Sequence, residues 1–150
     1  MSGSSARGWL IDTNVVSELR KGPRAASPVR AWAETVAPFA CHISRVTIAE
    51  ILFGIERVLD PIFRAELEAW MRDGLRPWFG PRVIDVTERV LVRWRRLAWE
   101  GQKAGYTYAQ PDGLLAATAL EHELGVVTRN TDDFARAGLR LFNPWSESPG

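Results

Sequence analysis

The sequence is poor in the residues that most often announce a site. It has one cysteine and two histidines. The single Cys41 excludes a disulfide framework and a Cys-rich zinc centre. His42 and His122 have no partner at ligand spacing and read as structural. Ser17 and Ser44 lack a Gly-x-Ser-x-Gly elbow and a pairing histidine, which removes Ser-His-Asp chemistry. Neither Gly-x-x-x-x-Gly-Lys nor Gly-x-Gly-x-x-Gly occurs, so no nucleotide cofactor is expected. The longest nearly uncharged apolar run, residues 113–120, is far short of a bilayer crossing, and no membrane partner is expected. Charge of one sign is missing too. Lys+Arg number 19 and Asp+Glu 18, for a net +1, so there is no global basic field to bind nucleic acid by bulk charge. Lysine is nearly absent: only Lys21 and Lys103 occur, and the base is otherwise arginine. No basic segment followed by an apolar stretch precedes Trp9. With one cysteine and no export signal, the expected compartment is the cytoplasm.

What is present suits one globular α/β domain over 1–150. The chain is 46% hydrophobic and 25% charged, an ordinary soluble balance. Order is expected over about 8–145, with frayed ends at 1–5 and 146–150. A first strand at 9–11 ends at Asp12. Asn14 is positioned to cap a helix over 15–20, and Ser27-Pro28 starts another. A second strand is read at 39–43. Thr47 then opens a helix with Ile48, Ile51, Leu52 and Ile55 at helical spacing. Asp60-Pro61 begins a helix reaching about residue 75, with Phe63, Leu67, Trp70, Met71 and Leu75 on one face. These suit core, a dimer face or a groove for a partner helix. A strand at 82–86, a helix capped by Thr87, a helix at 112–123, a strand at 126–128, a helix at 131–137 and a strand at 139–142 complete the chain. Short strands alternating with helices predict a mainly parallel central sheet flanked by helices. Its ligand site belongs beyond the carboxyl ends of the strands, near a topological switch point.

The acids fall there. Asp12 follows the first strand, Glu50 lies in the first turn after the second, and Asp112 opens a late helix. Asn130, Asp132 and Asp133 follow the strand at 126–128. Converging carboxylates raise one another's pKa unless a cation sits between them. Oxygen donors without thiolate or imidazole suit Mg²⁺ or Mn²⁺, the usual equipment for phosphodiester hydrolysis. Each acid also has a plainer reading. Thr47-Ile48-Ala49-Glu50 is a capping box. Asp112, Asp132 and Asp133 complement helix dipoles. Asp12-Thr13-Asn14 makes a turn.

Four segments carry a family resemblance. Leu10-Ile11-Asp12-Thr13-Asn14-Val15-Val16-Ser17-Glu18-Leu19 resembles the opening of a PIN domain. Thr47-Ile48-Ala49-Glu50-Ile51-Leu52-Phe53-Gly54-Ile55 resembles its second motif, and Asp112-Gly113-Leu114-Leu115-Ala116-Ala117-Thr118-Ala119 its third. Val127-Thr128-Arg129-Asn130-Thr131-Asp132-Asp133-Phe134, with Asn143-Pro144-Trp145, resembles the fourth region. Their order and spacing are similar to VapC toxins of type II toxin–antitoxin systems, in the FitB-like branch. The resemblance spans about residues 9–145. It implies a PIN-like α/β fold and a ribonuclease dependent on Mg²⁺ or Mn²⁺. It also implies a homodimer and neutralisation by a cognate VapB-like antitoxin. The family acids carry over to Asp12, Glu50 and Asp112. Asp12 and Asp112 would take the principal ion, and Glu50 a second ion or a water. The fourth position, in the Thr-Arg-Asp form of the last motif, is Asn130 here, which brings no charge. Asp133 or Asp132 stands in reach to replace it. Arg45 and Arg129 lie within a few residues of these acids and are candidates to hold RNA phosphates. A PIN-like binding module without catalysis is the alternative, favoured by Asn130 and opposed by the three retained acids. A phosphatase acting on small esters is a further one.

Overall fold

The computed structural model describes residues 8–147; of the ends expected to fray, 1–5 and 148–150 lie outside the described residues, whereas Ser146 and Glu147 are tied back to Asn143 by backbone and side-chain hydrogen bonds. Five strands form one sheet: β1 (Trp9–Ile11), β2 (Cys41–Ser44), β3 (Val83–Ile84), β4 (Gly125–Val127) and β5 (Leu141–Phe142). Their spatial order is β3-β2-β1-β4-β5, and every pairing is parallel. Parallel neighbours require crossover helices. These are α1 (Thr13–Leu19) and α2 (Ser27–Thr35) after β1, and α3 (Arg45–Glu56), α4 (Pro61–Trp70) and α5 (Arg76–Phe79) after β2. Then come α6 (Glu88–Lys103) and α7 (Gln110–Glu121) before β4, and α8 (Thr131–Ala135) before β5.

Strand alternation divides the core between two faces. Ile11 and Val127 point into a cluster with Val15, Val29, Trp32, Ile48, Leu67 and Phe79. Their neighbours Leu10 and Val126 point the other way, onto Leu115, Ala116, Ala119 and Phe134. Strands buried on both faces have no polar side, which is why they read as unbroken apolar runs. The β1–β4 junction is tight. Trp9 pairs with Gly125, where a β-carbon would stand 2.7 Å from the indole.

Several local expectations are corrected. Asp12, not Asn14, caps α1, accepting from Thr13 N. The second strand begins at Cys41; Pro38–Ala40 form a 3₁₀ turn, since Pro38 fixes φ and donates no ladder bond. The helix from Asp60 reaches residue 75 as expected and continues without a gap to Phe79. Asp60 caps it, but Met71–Leu75 are π-helical. Leu67, Met71 and Leu75 on its inner face are core, whereas Phe63 is partly exposed. The strand after it is only Val83–Ile84, and α7 starts at Gln110, ahead of Pro111.

The capping box also fails. Helix α3 starts two residues earlier than expected, because Ser44 is extended and its hydroxyl accepts from Val46 N. Thr47 is left inside α3, fully buried, and its Oγ1 has no hydrogen-bond partner. A buried unpaired hydroxyl costs more than the methyl that would replace it. Thr47→Val is therefore expected to raise stability by about 1 kcal/mol, seen as a higher denaturant midpoint with an unchanged slope. A lower midpoint would show that the hydroxyl is satisfied.

The acidic candidate site at the β1–β4 switch

The strand order reverses between β1 and β4. The chain first steps outward from β1 to β3, then returns to the other side of β1. A crevice opens at such a reversal, beyond the carboxyl ends of the two strands. Asp12 leaves β1 at this point and Thr128 leaves β4 beside it. Thr128 Oγ1 donates to Asp12 Oδ2 at 2.8 Å. The other oxygen, Oδ1, accepts from Thr13 N at 2.7 Å, and Asn14 Nδ2 approaches Oδ2 at 3.4 Å. Asp12 is 5% exposed. Burial pushes its pKa up; the bonds from Thr128 and Thr13 pull down without cancelling that rise.

Glu50 arrives from α3. With the helix starting at Arg45, it stands in the second turn and not the first. Its carboxylate is thus free of its own helix amides and accepts instead from Thr13 Oγ1 at 3.0 Å. Asp112 arrives from the first turn of α7. Because α7 leads into β4, its amino end stands over the carboxyl edge of the sheet. The Asp112 pKa is pushed up to about 6. Burial is the largest cause, followed by a hydrogen bond with Asp133 and the charges of Asp12, Asp133 and Glu50. Three other carboxylates, each from a different element, therefore act on Asp112.

The remaining expected residues divide. Asp133 joins the group and accepts from the Tyr106 hydroxyl at 2.9 Å. Asp132 and Asn130 are exposed, and the Asn130 side chain does not cap α8. Asn130 N donates to Thr128 Oγ1 at 2.9 Å, steadying the hydroxyl that holds Asp12. Arg45 pairs with Asp85 at 2.8 Å, both largely exposed. The Arg129 guanidinium lies 4.7 Å over the Trp145 ring, and Arg129 N donates to Asn14 Oδ1 at 3.3 Å. Neither arginine is bound to a site acid by these contacts. Thr13, Thr128 and Tyr106 were not singled out by sequence reasoning. The two threonines sit inside the quoted motifs, Thr13 directly after Asp12, which is a signal; Tyr106 had none.

All donors here are oxygens, which suits a hard divalent cation. No group of three or more His, Cys, Asp or Glu among the described residues forms a ready-made ion cage. No helix among those residues is long and apolar enough to cross a membrane.

A family model for the PIN domain matches residues 9–139, which contain all of these acids. The chain belongs to the PIN domain family. Relatives within it agree over nearly full length. Toxin FitB of Neisseria gonorrhoeae is 31% identical over 138 residues, covering 92% of this chain and 99% of that protein. VapC ribonuclease Y4jK of Sinorhizobium fredii is 30% identical over 136 residues, covering 91% and 96%. The crystal structure of FitAcB from Neisseria gonorrhoeae superposes with a TM-score of 0.86 at 31% identity, covering 92% of this chain and 99% of that one. The parallel sheet flanked by helices is thus the PIN fold.

Proposed function

We propose that this PIN domain is a metal-dependent endoribonuclease, the toxin of a type II toxin–antitoxin pair. The observation that carries it is the convergence of Asp12, Glu50, Asp112 and Asp133 into one electrostatic group at the β1–β4 switch. Family membership gives that group its chemistry, and relatives named as toxins and ribonucleases support the reading.

The residues fit Mg²⁺ or Mn²⁺. Asp112 carries a carboxylate whose charge is opposed by burial and by its neighbours, which a divalent cation would offset. Asp12 and Asp112 would hold the ion, with Glu50 at the rim. Such an ion supplies a water of lowered pKa and charge stabilisation at phosphorus. The chain supplies alignment. Thr13 N and Thr128 Oγ1 fix the two oxygens of Asp12, and Thr13 Oγ1 turns Glu50 toward the same crevice. Arg129, its guanidinium over Trp145, would meet a phosphate of the substrate; Arg45 would have to leave Asp85 to do so.

The domain acts as a homodimer in the cytoplasm, held inactive by a VapB-like antitoxin. FitAcB and FitAB are complexes of the related toxin, which supports an antitoxin partner. An apolar cavity of about 330 Å³, walled by α1, α2 and the α4–α5 segment and including Trp32, Trp70 and Trp78, suits an inserted helix face. The lone Cys41, buried as a free thiol, fits a reducing compartment.

The test is cleavage of total cellular RNA by the antitoxin-free protein. Cleavage is expected with Mg²⁺ or Mn²⁺, abolished by EDTA and restored by excess Mn²⁺. Cleavage indifferent to EDTA, or calorimetry showing no Mn²⁺ binding, would overturn the proposal.

A further inference from the structure

The loop between α6 and α7 makes a contact that the nuclease reading leaves unused. Tyr106 reaches Asp133 across 27 positions of sequence, its hydroxyl 2.9 Å from Oδ1. The tyrosine is held on several sides. The Arg136 guanidinium lies 4.0 Å over its ring, and Tyr108 packs edge-on with ring centroids 4.8 Å apart. Tyr106 N donates to Gly101 O at 2.7 Å, folding the loop back onto the last turn of α6. Glycine is needed there, since a β-carbon at position 101 would stand 2.8 Å from Tyr106 O. The end of α6, the loop and α8 are thereby tied together at the Asp133 carboxylate, which also lies within hydrogen-bonding reach of Asp112.

We infer that Tyr106 is a positioning residue of the acidic site. Its hydroxyl holds Asp133 beside Asp112, so that Asp133, not Asn130, completes the oxygen set. The inference rests on the nuclease reading above. An aspartate in the first turn of a five-residue helix has rotamer freedom, and one fixed donor on Oδ1 removes much of it. A phenol suits the task better than an ammonium or guanidinium would. It donates a hydrogen bond while neutral at neutral pH, so it orients the carboxylate without cancelling its charge. Asn130, exposed and uncharged, cannot contribute an anionic oxygen.

Tyr106→Phe keeps the ring under Arg136 and removes only the hydroxyl. Partners that orient metal ligands contribute about 10-fold or more in affinity or rate. Tyr106→Phe is therefore expected to lose about 10-fold in Mn²⁺ affinity by calorimetry. The cleavage rate at saturating RNA should fall by a similar factor, with the half-saturating RNA concentration unchanged. Asp133→Asn should show a loss at least as large, and adding Tyr106→Phe to it should cost nothing further. Parental Mn²⁺ affinity in Tyr106→Phe, additive losses in the double variant, or a greater loss from Asn130→Ala than from Asp133→Asn would each overturn the inference. Asp12→Asn separates the two levels. If it keeps Mn²⁺ binding and cleavage, the nuclease reading fails. If it loses both while Tyr106→Phe behaves as the parent, only the role of Tyr106 fails.

Discussion

Asp12→Asn is expected to fold as the parent does and to lose RNA cleavage by at least about 100-fold, the scale on which removal of one electrostatic element of a preorganised site is felt. The structural duties of Asp12 survive the change. As the cap of α1 it accepts from Thr13 N, and asparagine caps helices as well as aspartate does. Toward Thr128 the bond can reverse, because a hydroxyl accepts from an amide as readily as it donates to a carboxylate. What disappears is the charge. Burial already opposes that charge, which is why the Asp12 pKa stands above its ordinary value. The neutral amide thus removes a desolvation cost, and Tm should hold or rise. Calorimetry should show Mn²⁺ binding greatly weakened. A folded variant that cleaves RNA at the parental rate would show that the crevice is not the reaction centre.

How far the sequence reveals this site depends on how local each cause is. Asp12 was legible because a short apolar run ends in an acid, and the strand β1 follows from that run; its pairing to β4 does not. Asp112 was legible because Pro111 marks a helix start. The parallel sheet followed from alternating strands and helices. Glu50 shows where local reading fails. The Thr47-to-Glu50 spacing satisfies the capping-box pattern, but Ser44, three residues earlier, adopts the extended conformation and takes the capping role. That moves Glu50 into the second turn, where it meets Thr13 from another element. The structural explanation for Glu50 is thereby removed, and the reading as a site residue gains. The π-helical stretch at Met71–Leu75 has no periodic signature, since the sequence there continues a helical apolar stripe. Tyr106 was invisible for a different reason. Its partner is 27 residues away, in a helix that only the folded sheet brings near. Spacing reports what one element can do alone; it does not report which elements the topology folds against one another.

Asp112→Asn is expected to separate stability from activity, with opposite signs. The Asp112 pKa is about 6 in the folded protein against 3.8 for a free side chain. Between those values the native state binds the extra proton, so stability falls as pH rises through that window and then levels. Stability from this group is full below pH 4 and lost above pH 6. The full shift would correspond to about 3 kcal/mol. Solvent reaches this carboxyl, and screening reduces the effect to about 1 kcal/mol. In EDTA at pH 7.5, Asp112→Asn should therefore be more stable than the parent by about 1 kcal/mol, a rise of about 2–4 °C in Tm for a chain of this size. At pH 4 the parent carboxyl is protonated and the two proteins should melt together. Excess Mn²⁺ should reverse the order at pH 7.5, because only a protein that binds the ion gains stability from it. RNA cleavage should fall at least about 100-fold. The decisive outcome is the pair of melting series. If the variant gains nothing at pH 7.5, or gains equally at pH 4, the Asp112 charge is not opposed by burial and by its acidic neighbours in the folded protein. A gain confined to high pH, exchanged for a deficit in Mn²⁺, means that the fold tolerates an unfavourable charge at this position because the reaction requires it.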